Sequence, residues 1–277
     1  MTSTEPSRTS ALAQGRKRAQ RYPPQLWQVP VLATTTVTPR MIRVTVGGPE
    51  LADFPPITGE AHVVLYFYEP GAVLPQPLTL SSARNHFAVA RPAMRSYTLR
   101  RHDPLAHELD LDFVLHEATG PAAAWASGTA PGDSLIVVGP SPGYQPDPAV
   151  AAHLFIGDET ALPAIEVMLA DLPETATATV LVEVADAAEE QQLTSPAELR
   201  VHWLHRDGRP AGTENALVEG LTALEVPTGD TSVWAAGERA AVHAVRNHLL
   251  TEVKLDRRQV RASSYWRLGH QGSPSGG

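Results

Sequence analysis

HLFIGDETALPAI, residues His153–Ile165, is the stretch that decides the fold. His153 to Ile156 is an apolar run of strand type. Gly157 lets the backbone turn sharply, Thr160 can cap a helix, and an apolar helix is predicted over 162–172. Strand, glycine turn and helix in this order form a nucleotide-binding turn of the doubly wound kind, although the GxGxxG fingerprint is absent. The same residues also suit a plain strand-to-helix turn with a good cap. Downstream the alternation repeats, with strands at 179–184, 199–204 and 231–235 and helices around 216–224 and 239–253. Val242, Val245, Leu249 and Val253 recur three or four apart and define one buried helix face. Repeated strand-then-helix units predict a parallel sheet with its site at the strand ends. At one such end, in Trp234-Ala235-Ala236-Gly237-Glu238, small residues leave room for a planar ring.

Upstream the texture differs. Short β-branched runs at 29–37, 41–46, 62–68, 95–101, 109–116 and 134–138 are separated by Pro, Gly and Asn. This spacing predicts an antiparallel barrel or sandwich. One helix interrupts it, opened by Gly120 and Pro121 and continuing through Trp125, with proline suited to the first turn. Residues 141–150, with three prolines and a glycine, have linker composition. The reading is therefore a flexible arm at 1–21, a β domain at 22–145, an α/β domain at 150–269 and a flexible tail at 270–277. A length of 277 residues suits two such domains.

Composition excludes several functions. The chain has no cysteine, which removes disulfide scaffolds, thiolate metal sites and cysteine nucleophiles, so redox chemistry requires an organic cofactor. A net charge of -8 argues against a nucleic-acid partner. No apolar run reaches the ~18 residues of a membrane span, and no apolar segment follows the basic residues Arg8 to Arg21 as a secretory signal requires. Gly139-Pro140-Ser141-Pro142-Gly143 matches the GxSxG pattern of hydrolases, but Pro142 lacks the N–H that the oxyanion hole needs. The histidine pairs 202/205 and 243/248 do not form an HExxH site.

Chemistry concentrates in Arg95-Ser96-Tyr97-Thr98. In a strand Arg95 and Tyr97 share one face and Ser96 and Thr98 the other. A guanidinium clamps pyrophosphate, a phenol ring lies on a heterocycle, and Thr98 is placed to reach a ring nitrogen. A second cluster comprises Asp112, Val114 and His116, then Gly120, Pro121, Ala122 and Trp125. The unpaired N–H groups at the start of the short helix bind phosphate without net positive charge. Taken singly, each of these residues also suits a structural role: an exposed arginine, a capping histidine, a packing tryptophan.

RSYTLR, DFVLH followed by GPAAAWA, GDETALPAI, WAAGE and SSYWRLGHQG together resemble the siderophore-interacting proteins, ferric-siderophore reductases of the ferredoxin reductase superfamily. The resemblance runs from about Val29 to Gly269. It implies a six-stranded antiparallel FAD-binding β-barrel followed by a Rossmann-like, five-stranded parallel-sheet domain for the nicotinamide cofactor, NADH or NADPH. It implies that Arg95, Tyr97 and Thr98, with Ser96 in the same motif, hold flavin and pyrophosphate, and that Asp112, Val114, His116, Ala122 and Trp125 line the FAD site, beside the Gly120–Pro121 helix start. Gly157, Asp158, Glu159, Thr160, Ala161, Gly237 and Glu238 would face the nicotinamide. Tyr265 and Trp266 would form an apolar wall by the interdomain cleft, with Arg267 offering charge to an anionic ferric chelate; equally, both rings suit pinning the last strand. Family members often carry a lysine in the strand that here reads His62-Val63-Val64-Leu65, and a glycine where this chain has Ser264. Arg261, Arg267 and Lys254 would have to replace part of that basic patch.

The expected activity is passage of electrons from NAD(P)H through FAD to a ferric siderophore, which loosens the chelate, with no covalent protein catalyst. Rival readings keep the flavin and change the acceptor, as a flavin or quinone reductase or a biosynthetic flavoenzyme, or make the chain a non-catalytic siderophore-binding protein. A cytoplasmic monomer is expected. Asp186, Glu189 and Glu190 after the second strand favour NADH, unless Arg206 and Arg209 reach a 2′-phosphate. A tail of eight residues after Gly269 leaves no room for a further helix, which favours a small soluble electron donor over a protein.

Overall fold

The computed structural model describes residues 22–115, 120–213 and 215–270. Its first half contains β1 (Gln25–Thr38), β2 (Met41–Gly47), β3 (His62–Phe67), α1 (Leu80–Asn85), β4 (Ala93–Thr98), β5 (Arg101–Asp103), β6 (Glu108–Val114), α2 (Pro121–Gly128) and β7 (Ser134–Ser141). These strands form one antiparallel sheet in the order β4-β3-β7-β1-β2-β6-β5. The long β1 serves two partners. Gln25–Pro30 pair with β7 and Val31–Thr38 with β2, with a register shift where the pairing changes.

The two edge strands are consecutive in sequence, and this brings the two edges of the sheet together at one corner. Only Leu99 and Arg100 separate β4 from β5. The Leu99 N–H bonds Ala61 O on the β3 side, while the Arg100 N–H bonds Asp110 O on β6. Two residues span at most ~7 Å, so the edges must lie close and the sheet curls into a barrel-like form. Seven strands replace the six expected because one bent strand, 93–103, is divided at this switch. Alternate residues fill the interior: Val29 and Val31, Val44 and Val46, Val63 and Leu65, Leu109 and Leu111, Leu135 and Val137, all buried. The opposite face of β3 and β7 buries Tyr66, Ile136 and Val138 beneath Leu80, Ala83 and Phe87.

Helix α1 was not legible in the sequence. It is six residues long, and Thr79 and Ser82 cap it reciprocally, with serine in the place where the recognised box has Glu or Gln.

The second half contains β8 (Ala152–Asp158), α3 (Leu162–Ala170), β9 (Thr177–Val184), β10 (Glu198–His205), α4 (Ala216–Thr222), β11 (Thr231–Glu238), α5 (Arg239–Thr251) and β12 (Val260–Trp266). All five strands are parallel, in the order β10-β9-β8-β11-β12. The chain starts at the centre, winds outward through β9 and β10, and returns to the other side of β8, so the crevice lies between β8 and β11. Phe155, Val180, Val182 and Trp234 pack with α3 on one face; Leu154, Ile156, Leu181, Val233 and Ala235 pack with α4 and α5 on the other. On α5, Val242, Val245 and Leu249 are buried as the periodicity requires, and Val253 lies past the helix end. The three α-helices end two residues earlier than their sequence pattern.

The segment of linker composition is packed. Gly143 lies so close to Glu60 that a Cβ there would come within 1.9 Å of its carbonyl oxygen. Tyr144 packs against the second core, and its hydroxyl meets Ser232 Oγ at 2.6 Å. Among the described residues, no helix is long and apolar enough to cross a membrane.

Candidate functional site

Alternation along β4 sets the first half of the site. Ser96 is exposed, Arg95 and Tyr97 are half-buried, and Thr98 is buried where the second domain begins to cover the strand. The Arg95 guanidinium donates to the neighbouring Met94 carbonyl at 2.8 Å, and no ion pair joins it to a carboxylate among the described residues. The Tyr97 ring centroid lies 4.4 Å from that of Phe113 on β6, which in turn lies 5.6 Å from Trp125 on α2. This row of rings sets β4 beside the start of α2 and brings together two clusters that are about 25 residues apart in sequence. Burial pushes the Tyr97 hydroxyl well above the usual phenol range, with Arg95 pulling it back.

The start of α2 fits a phosphate. Gly120 is extended, no side chain caps the helix, and Pro121 occupies the first turn. The first intrahelical bond is that of the Ala124 N–H to Gly120 O, so the N–H groups of Ala122 and Ala123 precede the ladder. A Cβ placed on Gly120 would meet nothing within 4 Å among the described residues. An arginine without a carboxylate and an uncapped helix start, joined by a row of tilted aromatic contacts, match the needs of a pyrophosphate attached to a planar ring. Asp112 is engaged otherwise: its buried carboxylate takes a bidentate pair from Arg43, Nε to Oδ1 at 2.6 Å and Nη2 to Oδ2 at 2.7 Å. Val114 faces the second core, and His116 lies outside the described residues.

The strand ends of the parallel sheet form the second half. Gly157 admits only hydrogen, since a Cβ would stand 2.4 Å from the Ala161 methyl and 2.6 Å from Ala236 O. The cap of the turn that follows is Asp158, not Thr160. Asp158 Oδ1 accepts the Thr160 N–H at 2.9 Å and the Thr160 hydroxyl at 2.5 Å, because Thr160 stands inside the 3-10 turn that Asp158 precedes. Oδ2 accepts the Glu238 N–H at 2.9 Å and Trp266 Nε1 at 2.7 Å. The space beside Gly237, expected to be left for a ring, is filled by this carboxylate: a Cβ on Gly237 would fall 2.5 Å from Asp158 Oδ2, and its φ is 142°. Glu238 caps α5 in the same manner, accepting the N–H groups of Ala240 and Ala241.

Beside these, Arg206 is buried between Glu159 and Glu183, with Nη1 at 3.1 Å from each, and its Nη2 also bonds Glu159. Burial raises both Asp158 and Glu183 above the usual carboxylate range. Asp158, Glu183, Glu238, Arg206, Gly212 and Trp266 line a pocket at the strand ends. Asp158 and Glu238, assigned from sequence to the nicotinamide, and Trp266, assigned to the substrate wall, meet here, together with Glu183, which was not among the sequence candidates. Arg206 is held by its two carboxylates, and the exposed Arg209 donates to Arg206 O and His205 O.

The two halves meet at Glu60, which no pattern in the sequence announced. Its carboxylate accepts the Tyr144 N–H and Trp234 Nε1, each at 3.1 Å, and the Tyr265 hydroxyl. Burial, then Glu60, push the Tyr265 phenol far above the usual range. Arg100, between β4 and β5, pairs with Glu166 on α3 across the same junction. Arg267 is exposed just past β12. Among the described residues no cluster of three His, Asp or Glu side chains is arranged to hold a metal ion.

The chain is similar to known proteins along both halves. Residues 30–144 match the siderophore-interacting FAD-binding domain and residues 150–269 match the siderophore-interacting protein model. A siderophore utilization protein from T. fusca superposes with a TM-score of 0.79 at 36% identity, covering 92% of this chain and 97% of that one. The ferric vibriobactin reductase of Vibrio cholerae is 30% identical over 84% of this chain and 86% of its own length. An NADPH-dependent ferric-chelate reductase of Escherichia coli is 29% identical over 86% and 92%. The barrel-like FAD-binding domain, the parallel sheet behind it and these matches along both place the chain in the siderophore-interacting protein family.

Proposed function

We propose that the chain is an NAD(P)H-dependent ferric-siderophore reductase that works through bound FAD. The observation that carries this reading is the pairing of an arginine free of carboxylates with the uncapped start of α2, joined through Tyr97, Phe113 and Trp125, in a chain whose second half is a nucleotide-type parallel sheet. Bound FAD supplies the coupling between a two-electron hydride donor and an iron centre that accepts one electron at a time.

The chain's own residues bind and orient. Arg95 and the Ala122 and Ala123 N–H groups hold phosphate; Tyr97 offers its ring face. Tyr265, held by Glu60, fixes the edge of the site next to the parallel sheet, with Thr98 at the end of β4. Gly157 and Gly237 keep the strand ends flush, so that Asp158 and Glu238 brace the turns where the nicotinamide nucleotide docks. Arg267, exposed beyond Trp266, offers positive charge to an anionic chelate, and Tyr265 and Trp266 wall the cleft between. No side chain need form a covalent intermediate.

The test is direct. The purified protein should be yellow, bleach anaerobically with NADH or NADPH, and then reduce ferric chelates as read by ferrous trapping with ferrozine. A protein that takes up FAD but reduces quinones faster than any ferric chelate would be a flavoenzyme with another acceptor. A colourless protein that binds the ferric chelate would be a carrier.

A further inference from the structure

Glu60 stands two residues before β3 and is buried, and among the described residues no ion pair joins it to a cation. Neutral donors hold its carboxylate instead. Oε2 accepts the Tyr144 N–H and Trp234 Nε1, and Oε1 accepts the Tyr265 hydroxyl. The Glu60 N–H returns a bond to Tyr144 O at 2.8 Å. Glycine makes this approach possible from both sides: a Cβ on Gly59, whose φ is 55°, would lie 2.4 Å from Tyr144 O, and one on Gly143 would strike Glu60 itself.

The partners of this loop belong to both halves of the site. On the barrel side, Ala61 O accepts the Leu99 N–H, which ties the loop to the end of β4, the strand that carries Arg95 and Tyr97. On the sheet side, Trp234 lies on β11 three residues before Gly237, and Tyr265 lies on β12 next to Trp266, whose indole bonds Asp158. One side chain therefore links the flavin strand to the strand ends. None of its partners is a cation, so what these bonds require is an acceptor at this reach and not a charge. We infer that Glu60 is a positioning residue for flavin reduction: its reach holds the nicotinamide half in register with β4, so that NADH passes a hydride to FAD and leaves as NAD+. The inference rests on the FAD-reductase reading above.

Two conservative variants separate reach from charge. Glu60→Asp keeps the charge and shortens the side chain by about 1.5 Å, one carbon–carbon bond, so its oxygens cannot serve all three donors in place. Glu60→Gln keeps the length and removes the charge. Its amide oxygen takes the Tyr144 and Trp234 N–H groups, and its NH2 donates to the Tyr265 oxygen, since a hydroxyl accepts as well as donates. Gly59→Ala pushes the same segments apart from the backbone side and carries the test if Glu60→Asp does not fold. Thr38→Val is the control. It removes a buried bond of 2.5 Å to Glu189, which joins β1 to the turn after β9 on the other half of the parallel sheet.

The readouts are the limiting rate of flavin reduction by NADH in stopped flow, Kd for FAD and for NADH, and amide hydrogen exchange over residues 141–150 in the FAD-free protein. Glu60→Asp and Gly59→Ala should each lower the limiting rate ~100-fold, the scale of a misplacement of about 1 Å. Both Kd values should stay within about threefold of the parent, the mark of an interaction that orients and does not bind. Exchange at Tyr144 should quicken about tenfold, the scale of one hydrogen bond. Glu60→Gln and Thr38→Val should match the parent in every readout. Parent rates in Glu60→Asp and Gly59→Ala, with FAD bound, overturn the inference alone. So does a loss confined to Glu60→Gln, which would assign the effect to charge, or an equal loss in Thr38→Val, which would assign it to general loosening. A parent protein that takes up no FAD overturns the functional reading, and exchange at Tyr144 in Glu60→Asp still decides whether Glu60 holds the junction.

Discussion

Arg43 and Arg95 both stand on barrel strands, yet their removal should have opposite consequences. The Arg43 guanidinium pairs bidentately with Asp112, whose side chain is 0% exposed. Arg43→Ala would leave that carboxylate buried without a partner, a loss of about 3–5 kcal/mol in stability. Arg95 is bonded to the Met94 carbonyl, and Arg95→Ala strands no charge, so stability should change by less than about 0.5 kcal/mol. It should instead remove a charge-assisted phosphate contact of about 1.5–3 kcal/mol, a ~10- to 150-fold loss in FAD affinity. Urea unfolding of the apoproteins reads the first quantity, and fluorescence titration with FAD reads the second. Normal flavin occupancy in Arg95→Ala would refute the assignment, as would a stability loss equal to that of Arg43→Ala, which would make Arg95 a structural arginine.

Further expectations concern the parallel sheet. Gly237→Ala, at a φ of 142° and with the new methyl 2.5 Å from Asp158 Oδ2, should cost about 1–3 kcal/mol and move Trp266 off Asp158, seen as a shift in tryptophan emission; parent-like emission and stability would contradict the close contact. Burial raises Glu183 in the folded state, so this group's contribution to stability declines as pH rises through its folded pKa; Arg206 holds it down, and Arg206→Met should therefore destabilise more at pH ~8 than near the ordinary carboxylate pKa of about 4.3. An equal destabilisation at both would show that Arg206 does not govern that proton. NADH should reduce the flavin faster than NADPH in stopped flow, because Asp186 caps the turn after β9 and Arg206 is held by Glu159 and Glu183; the reverse order would show that an arginine reaches the 2′-phosphate. Arg267→Ala should raise KM for an anionic ferric chelate, more at low salt, and leave flavin reduction by NADH unaltered; a KM indifferent to both would leave Tyr265 and Trp266 as pins of β12 only.

What could be read from sequence follows the range of the interaction. The β8 turn was legible because an apolar run, a glycine and a helical stretch are adjacent, and Arg95 and Tyr97 were legible because alternation along one strand is local. Closure of the barrel was not, since it depends on Leu99 and Arg100 finding Ala61 and Asp110. The pairs that brace the site are more distant still: Arg206 meets Glu159 across 47 positions, and Tyr265 meets Glu60 across 205. No periodicity connects such residues. Gly237 shows how a correct local reading goes astray in the fold. Its smallness was read as room for a ligand, and room is indeed what glycine provides; but Asp158 arrives from a strand 80 positions away and fills it. That carboxylate in turn holds Trp266 and the start of the α5 turn. The glycine therefore acts on the site at one remove, by seating the group that sets the strand ends.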